Sequence, residues 1–309
     1  MPSSTSIRIG SRTSPLSQAQ TEEVLVPLRA AYPDTEFTLV PITTSGDRRK
    51  NAPLLSMPRG MFVKEIELAL LGNEIDIAVH SAKDLPAQVP DGLAVVAYTQ
   101  RHDPRDVLVN RWGLTLRELP EGARLGTSSP RRSALIRALR PETQVVPIRG
   151  NVGTRLEKAA GDDYDGVVLA AAGLERLGRS GEISEYFKPE EFTPEVGQGA
   201  LLVEARSSDG QVAEMLGSID HEPTRVAVTS ERAFLETLGG GCKVPVAAYA
   251  TLDGNELRIS AMAVTPDGDR VFRVETSHAK DDPVAAGQAA ARALMATEAS
   301  EIIVGGAES

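Results

Sequence analysis

The chain has 309 residues, a single cysteine, 4% aromatic residues and a formal net charge of −10. That length exceeds one average domain, the lone cysteine excludes an internal disulfide, and an acidic balance with so few aromatics excludes a general nucleic-acid binder. No apolar stretch approaches the roughly 20 residues that span a bilayer, and residues 1–6 are polar, without the apolar centre of a secretion signal. The expected setting is soluble, reducing and cytoplasmic, with no membrane partner.

Short apolar runs alternate with helical patterns at the start of the chain: 7–9, a helix from Pro15, 36–42, a helix from about Met61, then 75–79. The pattern returns as 124–126, a helix from Pro130, 145–148, a helix after Asn151, then 166–170. Such alternation predicts α/β sheets. The halves also resemble each other in sequence. Gly10-Ser11-Arg12-Thr13-Ser14-Pro15 parallels Gly126-Thr127-Ser128-Ser129-Pro130, and residues 76–85 align without gaps with 165–174. Two similar lobes facing a cleft are expected.

The first lobe is expected to comprise residues 1–99 with 200–217, and the second residues 100–199. Proline- and charge-rich Thr99-Gln100-Arg101-His102-Asp103-Pro104-Arg105 marks one crossing, and Thr193-Pro194-Glu195-Val196-Gly197-Gln198-Gly199 the other. Residues 200–205 read as a strand returning to the first lobe. Beyond 218 a helix over 223–238 ends at glycines, strands follow near 246–252, 256–264 and 270–276, and an alanine-rich helix follows Pro283. Residues 218–309 are therefore expected to form a smaller α+β domain.

Ser129-Pro130 is a strong helix start, with a serine N-cap and proline at the first helical position. Arg131 and Arg132 then stand in the first turn, where cations oppose the helix dipole at about 0.3–1 kcal/mol each. Arg12 precedes Ser14-Pro15, while Arg149 and Arg155 flank or enter the helix near Asn151-Val152-Gly153-Thr154. Thr154-Arg155-Leu156-Glu157 is an alternative capping box that leaves Arg155 in the first turn. One such arginine reads as a solvated surface residue. Three helix starts with the same oddity point to a bound anion, held by free N–H groups and planar guanidinium forks. With no Walker-type loop present, carboxylates suit these forks at least as well as phosphates.

Beyond the 75–79 strand comes His80-Ser81-Ala82-Lys83-Asp84-Leu85-Pro86, and open α/β sheets bind ligands past the carboxyl ends of their strands. The aligned residue of the other half is Gly173, so the fold does not require an acid at Asp84. Asp84 either caps the turn before Pro86 or pairs with Lys83, or else it stabilises a cationic intermediate and passes protons. His80 reads as a structural strand-end residue. No Cys/His cluster suggests a metal. Cys242 closes the run Gly239-Gly240-Gly241 and precedes Lys243. A lone thiol is commonly a small buried hydrophobe. On a glycine-made bend beside a lysine it is equally a candidate thiolate.

The segments Asp76-Ile77-Ala78-Val79-His80-Ser81-Ala82-Lys83-Asp84-Leu85-Pro86, Gly126-Thr127-Ser128-Ser129-Pro130-Arg131-Arg132, Arg149-Gly150-Asn151-Val152-Gly153-Thr154-Arg155-Leu156, Val196-Gly197-Gln198-Gly199-Ala200 and Gly240-Gly241-Cys242-Lys243-Val244-Pro245 together resemble the porphobilinogen deaminase family. The likeness runs from Ile7 into the C-terminal domain. It implies a transferase that joins four porphobilinogen molecules head to tail into hydroxymethylbilane, with release of ammonia. It also implies a dipyrromethane cofactor, built from substrate and bound by a thioether to Cys242.

By motif, the resemblance places Lys83, Asp84, Ser129, Arg131, Arg132 and Arg155 on the cofactor. Arg12, Ser14, Arg149, Arg155 and Arg176 fall around the incoming substrate or growing chain, and Phe62 matches an aromatic near the site. Asp84 would contact pyrrole N–H groups and act as the catalytic residue. The implied fold is two periplasmic-binding-protein-like lobes with a smaller C-terminal domain, working as a monomer. The competing reading is a non-catalytic polycarboxylate-binding protein, which has no need of Cys242 or Asp84. A thiol hydrolase would want a histidine near the sulfur, and His80, His102, His221 and His278 stand in no supporting motif.

Overall fold

The structure, a computed structural model, describes residues 6–48, 63–86, 88–239 and 245–308. In chain order the elements are β1 (Ser6–Ser11), α1 (Pro15–Ala31), β2 (Glu36–Pro41), α2 (Ser45–Arg48), α3 (Lys64–Leu71), β3 (Ile77–Ser81) and β4 (Leu93–Tyr98). Then come β5 (Asp106–Asn110), β6 (Arg124–Gly126), α4 (Pro130–Leu139), β7 (Gln144–Val146), α5 (Val152–Ala159), β8 (Gly166–Ala170), α6 (Ala171–Arg176) and β9 (Glu185–Tyr186). The remainder is β10 (Leu201–Arg206), α7 (Gly210–Gly217), α8 (Glu222–Thr237), β11 (Val246–Asp253), β12 (Glu256–Val264), β13 (Val271–Ala279), α9 (Pro283–Met295) and α10 (Ala299–Glu308).

The chain divides into two compact units, Met1–His102 with Ala200–Arg225, and Asp103–Gly199 with Val226–Ser309. The first unit holds a five-stranded sheet in the order β2-β1-β3-β10-β4. Strands β1, β2 and β3 are parallel, and β10 runs antiparallel between β3 and β4. Buried on both faces, β3 opens with the continuous apolar run Ile77-Ala78-Val79, as parallel strands do. Ile77 and Val79 face one core with Val24, Leu25 and Leu28 of α1, while Ala78 faces the other with Ile66 and Leu70 of α3.

The second unit repeats this plan in the order β7-β6-β8-β5-β9, with β6, β7 and β8 parallel and β5 antiparallel to β8. One ion-pair clasp is repeated with it. Asp76 accepts from the main-chain N and from Nε of Arg8, and Asp165 does the same from Arg124. Each clasp ties the foot of the first strand to that of the third. The second unit also carries the three-stranded antiparallel sheet β11-β12-β13. Its Ala247, Met262 and Val264 share a core with Leu108, Leu125 and Leu135, and its opposite face packs on α8, α9 and α10.

The α/β class with a smaller C-terminal sheet is as the sequence leads one to expect. The differences have local causes. Strands β4, β5 and β9 lie beyond the sequence reading: β4 and β5 stand on either side of the charged crossing 99–105, which masks them, and β9 is only Glu185–Tyr186. Strand β7 stops at Val146 because Pro147 has no N–H for a ladder. One boundary between the two compact units falls at Arg225, within α8. The helix expected from Met61 begins at Lys64, Met61 itself lying outside the described residues.

Candidate active site

In the first unit the parallel strands β1, β2 and β3 end on one edge of the sheet. Ser14 caps α1 with its hydroxyl accepting from Ser17 N at 3.2 Å, and Pro15 follows. Arg12 stands half-buried in the same connection. Past the end of β3, the turn through Lys83 and Asp84 is held by Asp84 N donating to Ser81 O at 3.0 Å and by Ala82 N donating to Ala200 O at 3.0 Å. Asp84 is exposed and Lys83 half-buried. The aligned Gly173 lies buried in α6, so the repeat departs from itself where the acid stands: a turn after β3, a helix after β8.

Below that turn, His80 is 5% exposed and its Nε2 lies 3.2 Å from Glu204 Oε2, which is fully buried in β10. That accords with a structural strand-end histidine. Glu67 of α3 is pushed up from the ordinary carboxylate range by burial first and by the charge of Glu204 second.

In the second unit the expected helix starts gather on the corresponding sheet edge. Ser129 caps α4, its hydroxyl accepting from Arg132 N at 3.4 Å. Asn151, not Thr154, caps α5, accepting from Thr154 N at 2.9 Å. Ser128 Oγ donates to Ile148 O at 2.7 Å and accepts from Ile148 N at 3.1 Å, which locks the two approach loops together. Arg155 Nε turns back to Gly150 O at 2.8 Å, and Arg176 Nη2 donates to Gly199 O at 3.1 Å. Arg149 is half-buried in the same loop, and its carbonyl accepts from Lys158 Nζ at 3.1 Å. Ser129, Arg131, Arg132, Arg149, Arg155 and Arg176 thus lie past the ends of β6, β7 and β8.

Arg131 and Arg132 are buried, and the anion opposite them is one that sequence reasoning missed. Asp106, at the first position of β5 and 0% exposed, accepts from Arg131 Nη1 at 2.7 Å and from Arg132 Nε at 2.8 Å. Gln198 Nε2 adds a third donor at 3.1 Å. Burial alone would raise the Asp106 carboxyl, but the two guanidinium groups and the hydrogen bonds bring it down to about 2. So part of the compensation assigned to a bound ligand is internal. Its only sequence signal is an aspartate opening the apolar run 107–109, as Asp76 opens 77–79.

The two arginines differ in what remains. Every guanidinium nitrogen of Arg132 has a partner: Nε on Asp106, Nη1 on Val168 O, and Nη2 on Gln198 Oε1. Arg131 directs Nη1 to Asp106 and Thr193 O, while its buried Nε and Nη2 find no acceptor among the described residues. Unmet buried guanidinium donors are costly. A carboxylate ligand matches their planar geometry, so the residues present fit a cofactor bearing acidic side chains. Cys242, Gly240, Gly241, Lys243 and Phe62 lie outside the described residues. Among the described residues no cluster of His, Cys, Asp and Glu could hold a metal ion, and no helix is long and apolar enough to cross a membrane.

Known proteins resemble the chain over most of its length. The family model for "Porphobilinogen deaminase, dipyromethane cofactor binding domain" matches residues 7–214, and that for "Porphobilinogen deaminase, C-terminal domain" matches residues 226–296. The porphobilinogen deaminase of Brevibacillus brevis is 45% identical over 298 residues, covering 96% of each chain. That of Halalkalibacterium halodurans is 48% identical over 300 residues, again covering 96% of each chain. Among solved structures, the methionine-binding protein MetQ superposes with a TM-score of 0.43 at 14% identity, over 69% of this chain and 88% of that one.

Proposed function

The chain belongs to the porphobilinogen deaminase family, and from that premise we propose the part each residue of the two sheet edges takes in its reaction. It is a transferase that joins four porphobilinogen molecules head to tail into hydroxymethylbilane and releases ammonia, with dipyrromethane as cofactor. The cofactor supplies the pyrrole to which the first substrate is joined. The non-catalytic alternative is not favoured by this membership.

In our reading Cys242 holds the cofactor through a thioether. Ser129, Arg131, Arg132, Arg155 and Lys83 bind its carboxylates, and Arg12, Ser14, Arg149, Arg155 and Arg176 receive those of the incoming substrate and growing chain. The observation that carries this assignment is Arg131, whose Nε and Nη2 are buried and directed at no protein acceptor among the described residues. Asp106 keeps both guanidinium groups oriented before any ligand arrives, so little reorganisation is needed on binding. Arg132, already satisfied by Asp106, Val168 and Gln198, acts mainly by fixing that geometry and adding charge.

Asp84 is the proposed catalytic residue. An exposed carboxylate beyond a strand end can accept hydrogen bonds from pyrrole N–H groups and stabilise the cation left when ammonia departs from porphobilinogen. It can also take up and return the proton that the coupling step displaces. We place the protein in the cytoplasm as a monomer, since an unpaired thiol that must stay free for its cofactor suits a reducing compartment.

Intact mass of protein purified from cells able to make porphobilinogen tests the attachment. The expected result is an increment of two linked pyrrole units on the peptide holding Cys242, absent in Cys242→Ser. An unmodified Cys242 peptide would falsify it.

A further inference from the structure

Glu231 of α8 is 0% exposed, yet it is placed on no ligand by the assignments above. Its carboxylate joins two segments far apart in sequence. Oε1 accepts from Ala250 N at 2.8 Å, and Oε2 accepts from Gly197 N at 2.6 Å. Ala250 lies in β11, an edge strand of its sheet, so Glu231 satisfies a main-chain donor that would otherwise be buried without a partner. Gly197 has φ of 74°, a left-handed conformation suited to glycine. It belongs to a turn closed by Gln198 N donating to Glu195 O at 2.9 Å.

Gln198 carries the connection onward. It is 0% exposed, and its side-chain amide is aligned by polarity: Nε2 donates to Pro104 O at 2.7 Å and to Asp106 Oδ1 at 3.1 Å, while Oε1 accepts from Arg132 Nη2 at 3.3 Å. A path of buried hydrogen bonds therefore runs from β11 through Glu231, Gly197 and Gln198 to Asp106 and the arginine pair. Hydrogen bonds weaken steeply with distance and angle, so a small shift of Gly197 misaligns the Gln198 amide. The same α8 that holds Glu231 ends at Thr237, and Cys242 follows closely in sequence.

We propose that Glu231 is a positioning residue: through Gly197 and Gln198 it sets the Asp106, Arg131 and Arg132 group in register with the helix that leads to Cys242, and so speeds capture of the cofactor carboxylates. The inference rests on the reading that this arginine pair binds dipyrromethane. Glu231→Gln keeps the size of the side chain, but its amide cannot accept from both N–H groups at once.

The test uses full-length apo-protein from cells unable to make porphobilinogen, mixed with porphobilinogen and followed by intact mass as the cofactor forms. Ile259→Val, which trims the core beside α8 and α9, serves as a control for a loss of core packing alone. Glu231→Gln is expected to gain the two-pyrrole increment about tenfold more slowly than wild type, since small misplacements at a distance slow assembly steeply, while Ile259→Val loads normally. Gln198→Met should show the same loss. The double variant should be no slower than the slower single, because both cut one path.

Wild-type loading in Glu231→Gln, or a loss no greater than in Ile259→Val, overturns the proposal, as does a double variant slowed by the product of the two effects. Should Glu231→Gln fail to fold, Gln198→Met decides alone: slow loading supports the path and a wild-type rate removes it. A wild-type protein that takes up no pyrrole units contradicts the functional reading itself, so the two failures are distinguishable.

Discussion

Arg132 donates through Nε to Asp106 Oδ1 at 2.8 Å, a bond enclosed within the second unit and shared with Arg131 on the other carboxylate oxygen. Removing one member of such a group strands the others. Asp106→Asn is nearly isosteric, yet it leaves two buried guanidinium groups without their carboxylate, a loss of about 3–5 kcal/mol. Urea unfolding should show that loss, and the variant should purify largely without cofactor.

The same carboxylate sets an acid limit. Asp106 is held at about 2 in the folded protein against an ordinary value of 3.8, so its stabilisation is fully present above 3.8 and disappears as pH falls through about 2. By linkage this is roughly 2 kcal/mol. Asp76 in the first unit, clasped by Arg8 and Arg206, is likewise lowered to about 2, although its partial exposure reduces its share. Stability measured from pH 5 to 2 should fall through this window in wild type, and more shallowly in Asp106→Asn.

Asp84 carries the prediction about chemistry. Its position in a turn, where the equivalent Gly173 is helical and buried, leaves the sheet indifferent to it. Asp84→Ala should fold and load cofactor but release ammonia about 10²–10³ more slowly, as when a transition-state electrostatic partner is lost. Asp84→Glu should retain part of the rate. Single-turnover mixing of loaded enzyme with porphobilinogen reads this as a ladder of added pyrrole units. A normal ladder in Asp84→Ala would leave the residue a turn cap.

The arginines should separate into two classes. Arg131→Leu removes the two buried donors directed at no acceptor among the described residues and should give mainly apo-protein, each charged hydrogen bond being worth roughly 1.5–3 kcal/mol. Arg149→Leu, half-buried in the loop before α5, should load cofactor and stall during elongation. Intact mass distinguishes the two: no increment in one, a truncated ladder in the other.

Gly287 of α9 meets α8 at close quarters. A Cβ there would lie 2.0 Å from Ser230 O and 2.9 Å from Phe234 N, both on the helix that carries Glu231. Gly287→Ala must push the two helices apart, for about 1–3 kcal/mol of overpacking, and should lower the thermal midpoint in circular dichroism.

Much of this was legible in the sequence because it is local. Ser14-Pro15, Ser129-Pro130 and Asn151 announce helix starts by short-range capping chemistry, and the apolar runs 77–79 and 166–170 announce buried strands. The repeat could be read because Asp76 and Asp165 recur at matched positions. What was not legible depends on contacts across long separations. The arginine pair needed an anion, but nothing near Arg131 names Asp106, which is brought in by β5 pairing with β8. Gln198 stood in a quoted motif without a role, since its use depends on Asp106 and Arg132 arriving on either side. Glu204 and Glu231 resemble surface acids until the fold encloses them.

The interleaving of the two units governs the order in which the chain can be made. Among the described residues β4 pairs only with β10, and β10 also pairs with β3. On the ribosome, residues 6–98 emerge with β2, β1 and β3 able to associate, yet β3 keeps an open edge and β4 has no neighbour until 201–206 follow. The whole 103–199 segment must be synthesised in between. At about 5–20 residues per second, the nascent first unit spends several seconds with an unpaired sheet edge, the kind of surface that recruits other strands. A chain cut short before Arg206 is therefore expected to leave β3 and β4 without the strand that joins them.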